Sequence, residues 1–533
     1  MVDPKSSPQE IFNKREELGL ENSVKLLTDI VETEKDYNKR KGAVKYLGLV
    51  SREVPSLKKE CFSTLENVLI SEEGIEIKCE AAKALGKLKF EKALKPLMWI
   101  LEQKLDNIDI KLSVLKAIKK IKFEEPQINL FINELDSHYN SIKDFAKNQL
   151  LNIGPEILIK SLLSFLKSEN ISNEHKSEII KLIGYELSSI NISFEDISYL
   201  KVKYPEVISN LIQNKQLLLN EITRILKELD PELMDSAVSI LKLLGPDINQ
   251  DVIRLLLSDD FIVKKNAIAL TGKLKLRDAV DFLTQNLDNI YNEVSIATIE
   301  ALGDIGDLSA VPEMLGILDI EDISFEYSDL DMKLYVIDAI KKIYLSNKNA
   351  NYDSLLSYLN SDNDTIKESI AFILGEIGNE EFVKPLKSLL KIRNLDVKKN
   401  TIIALGKIGK IEPISDLIEI LENSESYWLI KKVAIDAIYN IFQRNWYKVK
   451  DDDVELKRTL NKDVAIIIDY LKTNDDENFK VKVSLIKFLE MYGEEHALSA
   501  LLSRVNDFPR IVRIHASNAI KKIEEKLELE NAE

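Results

Sequence analysis

The sequence predicts an all-α fold, an α-solenoid in which about 14–15 helical hairpins stack into a superhelix. The residues Ala84-Leu85-Gly86 recur in register about fourteen times, most copies roughly 30 to 38 residues apart, which is the period of helical-hairpin arrays. Apolar residues precede each copy at helical spacing, and nothing in the chain reads as a strand.

With Gly86 as the anchor, the equivalent position holds Gly48, Lys119, Leu151, Gly184, Lys242, Gly272, Gly303, Lys341, Gly375, Gly406, Tyr439, Glu490 and Lys521. In the copy ending at Gly406, apolar or small residues fall at Val397, Thr401, Ile402, Ala404, Leu405 and Ile408. At about 100° per residue these cover one broad side of a helix packed between neighbours. Small residues two before the anchor, such as Ala84, Ala117, Ala301 and Ala404, allow helices to approach closely. The anchor glycine, often followed three residues later by another (Gly375 and Gly378, Gly406 and Gly409), predicts a helix end and turn. A second helix then follows, with Pro96, Pro312, Pro385 or Pro413 in its first turn, where the missing N–H is tolerated.

Across 533 residues the pattern predicts one continuous array over 21–525, an N-terminal tail or cap over 1–20, and a charged tail over 526–533. It breaks in three places. A degenerate hairpin is expected near 194–229, with Tyr204-Pro205 opening its inner helix, and insertions near 321–331 and 443–463. Loops that interrupt a regular array are often binding elements.

Eight residues before the anchor the chain carries Arg40, Lys78, Lys111, Lys143, Lys176, Lys264, Lys333, Lys367, Lys398, Lys431, Lys482 and Arg513. That position points into the apolar side of the helix. A structural ladder is the economical reading, with stems on the core and heads reaching acids or carbonyls near the turn.

The stretch Asp396-Val397-Lys398 to Gly409, followed by Pro413 and Leu417 to Leu421, resembles HEAT repeats, in particular the short HEAT-like repeats of the phycobilin-lyase type. The resemblance spans residues 21–525. It implies that the Ala-Leu-Gly helices line the concave surface and that the basic ladder is structural. Lysine mostly stands here where that family more usually has arginine, which weakens bidentate pairing.

No catalytic, cofactor or metal constellation emerges. His138, His175, His496 and His515 lie in separate repeats, and no His-Glu dipeptide of the kind found in the HEAT-repeat deoxyhypusine enzyme occurs. Cys61 and Cys79 form no motif, and their scarcity points to a reducing compartment. The start lacks the apolar stretch of a signal peptide, and no segment suits a membrane span, so a cytoplasmic protein is expected. The formal net charge of −16 disfavours a dedicated nucleic-acid binder.

The expected function is a non-enzymatic scaffold or adaptor that binds protein partners on the solenoid surface. The alternatives are nucleic-acid or ribonucleoprotein binding through an N-terminal basic concave patch, and a regulatory subunit of an enzyme complex. The candidate contact residues are Lys45, Lys83, Lys87, Lys116, Lys120 and Lys181, which suit an acidic segment of a partner. Trp99, Tyr427, Trp428, Trp446 and Tyr447 join them as aromatic anchors.

Overall fold

The computed structural model describes residues 7–532 apart from 54, 73, 104–106, 169, 191–201, 229, 290–291, 319–328, 348–349 and 447–453. The described residues are helices, turns and loops, with no strand among them. They form two compact units, Met1–Gln250 and Asp251–Glu533.

In the first unit the motif helices are Tyr37–Val50, Ile75–Leu88, Ile108–Ile121, Asn140–Leu150, Asn173–Ser189 and Pro231–Leu244. Companion helices such as Leu20–Thr33, Lys58–Ser71, Leu94–Glu102 and Pro155–Leu166 alternate with them. In the second unit the motif helices are Phe261–Leu274, Asn292–Ile305, Asp329–Ser346, Asp364–Ile377, Leu395–Ile408, Trp428–Asn445, Phe479–Tyr492 and Arg510–Ala532. Within each unit most successive motif helices pack on one another, and companions such as Lys58–Ser71 and Ile414–Glu422 pack on the motif helix that follows.

The helix starts follow from local chemistry. Asp36, Asn107 and Ser172 in the first unit, and Asp260, Asn363, Asn394 and Asn478 in the second, accept hydrogen bonds from first-turn backbone N–H groups. Those donors otherwise have no intrahelical partner. Val397, Thr401, Ile402, Ala404, Leu405 and Ile408 are all buried, as the periodicity predicts.

The anchor glycine differs from its expected role. Gly86 and Gly406 are buried inside Ile75–Leu88 and Leu395–Ile408, before the last residues of each helix. The turn is made three residues after the anchor, where Gly378 and Gly409 adopt φ 75°, a left-handed conformation that closes a helix. Lys89 and Lys275 occupy the same place after Gly86 and Gly272 and adopt φ 49° and 55°.

What the anchor does is admit the next helix. A Cβ on Gly86 would lie 2.8 Å from the Ala117 Cα, and one on Gly375 would lie 2.7 Å from the Ala404 Cα. Gly48 meets Ala84, Gly272 meets Ala301 and Gly303 meets Ala339 in the same way. Each of these glycines therefore faces the small residue two before the next anchor. Those pairs set the closest approach between motif helices.

Gly184 departs from this register. It meets Ser236, one helical turn before the expected Ile240. Asn173–Ser189 packs directly on Pro231–Leu244, while Pro205–Gln213 packs on the companion helix Pro155–Leu166. The helix opened by Tyr204-Pro205 thus joins the companion row, not the motif row in which the sequence pattern placed it.

Pro8–Asn13 is capped by Ser7 and packs on Tyr37–Val50, burying Pro8 and Ile11. The acidic insertion residues Glu321, Asp322 and Glu326, with residues 447–453 of the later insertion, lie outside the described residues. Among the described residues no helix is long and apolar enough to cross a membrane.

Candidate binding surfaces

None of the twelve basic residues eight before the anchor is fully exposed. Several reach the loop that precedes the next motif helix. Arg40 bonds Glu72 at 2.8 Å, and Lys482 bonds Asp507 at 2.8 Å and the Asp475 carbonyl at 2.5 Å. Lys431 donates to the Tyr470 hydroxyl at 2.9 Å and to Glu477 at 3.0 Å. Burial pushes the Glu477 carboxyl up, but hydrogen bonds from Tyr470 and Lys431 hold it below its ordinary value. Lys143 pairs with Glu178, Lys176 with Glu221, and Lys367 with Asp364 in its own helix, while Arg513 donates to the carbonyls of Asp507 and Phe508. Lys78, Lys111, Lys264, Lys333 and Lys398 are half-buried and make no ion pair to a described residue.

The N-terminal lysines gather around Lys87. Burial lowers its pKa first, Glu80 opposes that, and Lys120, Lys45 and Lys83 add like-charge repulsion. Lys45, Lys83, Lys116 and Lys120 are exposed. Lys45 lies over the Tyr46 ring at 5.3 Å and Lys116 over Phe145 at 5.6 Å, so both offer charge above an aromatic floor. Lys83 pairs with Glu80 at 2.7 Å. Lys181 is different. It bonds Asp230 at 2.7 Å, with Glu178 and Glu232 close by, and this carboxylate cluster raises its pKa although burial opposes the rise.

Charges on the motif row of the second unit are more often paired. Asp338 holds Lys341 and Lys342, Glu376 bonds Lys407, Lys399 pairs with Asp396, and Lys432 with Asp436.

The aromatic candidates separate as well. Trp99 is 41% exposed on the companion helix Leu94–Glu102. With Phe62, Leu94 and Met98 it floors a groove of about 700 Å³, rimmed by Glu66, Glu91 and Glu102 among others. Tyr427 is 49% exposed at the start of its motif helix, and its ring tilts against Trp428 at 5.5 Å. The Lys480 ammonium sits 4.6 Å over Trp428, covering that face. Trp446 is half-buried against Phe442 and Tyr492 and acts as packing. Tyr447 lies outside the described residues.

A further groove, of about 770 Å³, opens across Trp428–Asn445, Phe479–Tyr492 and Arg510–Ala532. Here the anchors are Tyr439, Glu490 and Lys521, and all three line it. Gly406 meets Ala437, but two residues before the anchor Glu490 stands Phe488, which is fully buried, and the Tyr439 ring meets Tyr492 edge-on at 5.7 Å. Bulky residues replace the small pair. Sequence periodicity treats these anchors as mere exceptions to glycine, so the groove escapes it; three successive non-glycine anchors are the signal that marks it.

Both cysteines are buried, and burial pushes the Cys61 thiol up to about 11, away from a reactive thiolate. His175 is buried and donates to the Ile132 carbonyl at 2.8 Å. Among the described residues no group of three or more His, Cys, Asp or Glu side chains could hold a metal ion.

Residues 352–438 match the family model for HEAT repeats, and this stretch is a run of such repeats, as the sequence resemblance implies. No curated protein matches the chain. Among solved structures, one of Kap95p binding to RanGDP is 12% identical, with a TM-score of 0.40, the match covering 97% of this chain and 85% of that one. Importin beta is 11% identical, with a TM-score of 0.44 and coverages of 97% and 78%. Kap121p is 12% identical, with a TM-score of 0.38 and coverages of 98% and 68%.

Proposed function

We propose that the chain is a non-enzymatic HEAT-repeat scaffold or adaptor. In this reading the motif-helix face of the first unit takes an acidic segment of a protein partner. The supporting observation is the lysine cluster around Lys87, whose charge is opposed by burial and by the like charges of Lys120, Lys45 and Lys83. A carboxylate placed among them relieves that repulsion, which favours complementarity in both steering and register. The groove under Trp99 is a second contact of the same scaffold, suited to an apolar side chain.

A fluorescein-labelled oligoglutamate peptide tests the reading by fluorescence anisotropy. Lys83→Glu with Lys116→Glu should raise its Kd about tenfold, equivalent to ~1.4 kcal/mol. Unchanged binding overturns the acidic-segment reading. Tighter binding of a single-stranded oligonucleotide, falling steeply with salt, would favour the nucleic-acid alternative.

A further inference from the structure

The groove bounded by Tyr439, Glu490 and Lys521 is built differently from the lysine face. Its carboxylates, Asp436, Glu490 and Glu525, balance its lysines, Lys487, Lys521 and Lys522. Most are already engaged. Asp436 holds Lys432 at 2.5 Å and accepts from Ser484 at 2.9 Å; Glu490 bonds Lys522, and Glu525 lies 3.6 Å from Lys521. Lys487 is exposed and pairs with no described carboxylate. The carboxamides of Asn440 and Asn518 are likewise exposed in the groove, with no hydrogen bond to a described residue.

We propose that this groove binds an extended peptide segment of a protein partner, with one acidic side chain of the segment on Lys487. The amides select the backbone conformation. A carboxamide offers a donor and an acceptor together, the complement of an open peptide group. A helical ligand has already spent its backbone groups internally, so it gives Asn440 and Asn518 nothing to bind. Three motif helices spaced about 8–10 Å apart span roughly 20 Å, the length of about six extended residues. Met491 and Tyr439 supply apolar surface between the polar contacts. Nucleic acid is disfavoured, because Glu525 and Glu490 already engage Lys521 and Lys522, and Lys487 alone cannot neutralise a run of phosphates. The site stands independently of the lysine face of the first unit.

The test is selection of phage-displayed linear dodecapeptides on the full chain. Recovered sequences are then re-measured as fluorescein-labelled synthetic peptides by anisotropy. The expected set shares one Asp or Glu position. Its Kd should rise about tenfold with Lys487→Glu, and similarly with Asn518→Trp, which fills the groove. Both positions are exposed, so unchanged thermal melts should accompany the loss. Lys83→Glu with Lys116→Glu should leave these peptides bound, separating this site from the acidic-segment reading. No enriched peptide, or enriched peptides indifferent to either groove substitution, would overturn the proposal.

Discussion

Gly406 in one motif helix and Ala437 in the next are so close that a methyl group on the glycine would lie 2.9 Å from both Cα and Cβ of the alanine. One of those atoms is backbone, so no rotamer change relieves the contact. Gly406→Ala should therefore destabilise the second unit by about 1 kcal/mol or more, overpacking outweighing the gain in helix propensity. Gly316 is the control. It is exposed within Val311–Leu318, and a Cβ there meets nothing within 4 Å. Gly316→Ala should stabilise by about 0.5–1 kcal/mol. Urea midpoints that move in the same direction for both would contradict the close-approach role.

Lys275 closes Phe261–Leu274 at φ 55°, where a side chain is strained. Lys275→Gly should raise the melting temperature, with a gain of about 0.5–1 kcal/mol. A lower melting temperature would mean that the lysine side chain itself stabilises the turn.

Asp507 joins two buried cations. It bonds Lys482 at 2.8 Å and lies 3.6 Å from Arg504, whose side chains are 5% and 4% exposed. Arg504 also bonds Asp475 at 2.5 Å, so Asp507→Ala leaves Lys482 as the cation without a carboxylate; it should cost about 3–5 kcal/mol, most of it recovered when Lys482→Met is added. A loss below about 1 kcal/mol in chemical denaturation would show that solvent already screens the pair.

Asp463 is half-buried in Val454–Thr473, and burial pushes its carboxyl up from 3.8 to about 6. A raised carboxylate pKa means that the folded chain binds the proton more tightly. Its contribution to stability is greatest at acid pH and falls as pH rises from 3.8 through about 6. Asp463→Asn should therefore raise the melting temperature at pH 7.5 and have much less effect near pH 4. Melting curves at the two values decide it; equal shifts at both would sink the prediction.

Lys181 provides a contrast within the lysine face. Because Asp230 already holds it at 2.7 Å, Lys181→Ala should leave oligoglutamate binding unchanged and lower thermal stability instead. A loss of binding comparable to that from Lys83→Glu would return Lys181 to the contact surface.

The repeat was legible because its core positions depend on helical periodicity alone. Val397 and Leu405 are buried for the reason their spacing suggests. The role of the anchor was less legible, since glycine serves both a close helix contact and a left-handed turn. Only the structure separates Gly406 from Gly409 in those tasks. Lys181 and Lys83 likewise look alike in sequence, yet Asp230, Glu178 and Glu232 meet only the first. The groove beside Tyr439 is completed by Lys487 and Lys521 in two other helices, a grouping that one repeat read by itself does not contain.

The small-residue pairs also distribute elasticity along each unit. Where Gly375 meets Ala404 and Gly406 meets Ala437, backbones rest against each other and bending must compress them. Where Lys119 reaches Gln149, or the Tyr439 ring meets Tyr492, side chains form the seam and can change rotamer as it flexes. Under load each unit should yield first at those side-chain seams, which makes them compliant joints between rigid blocks.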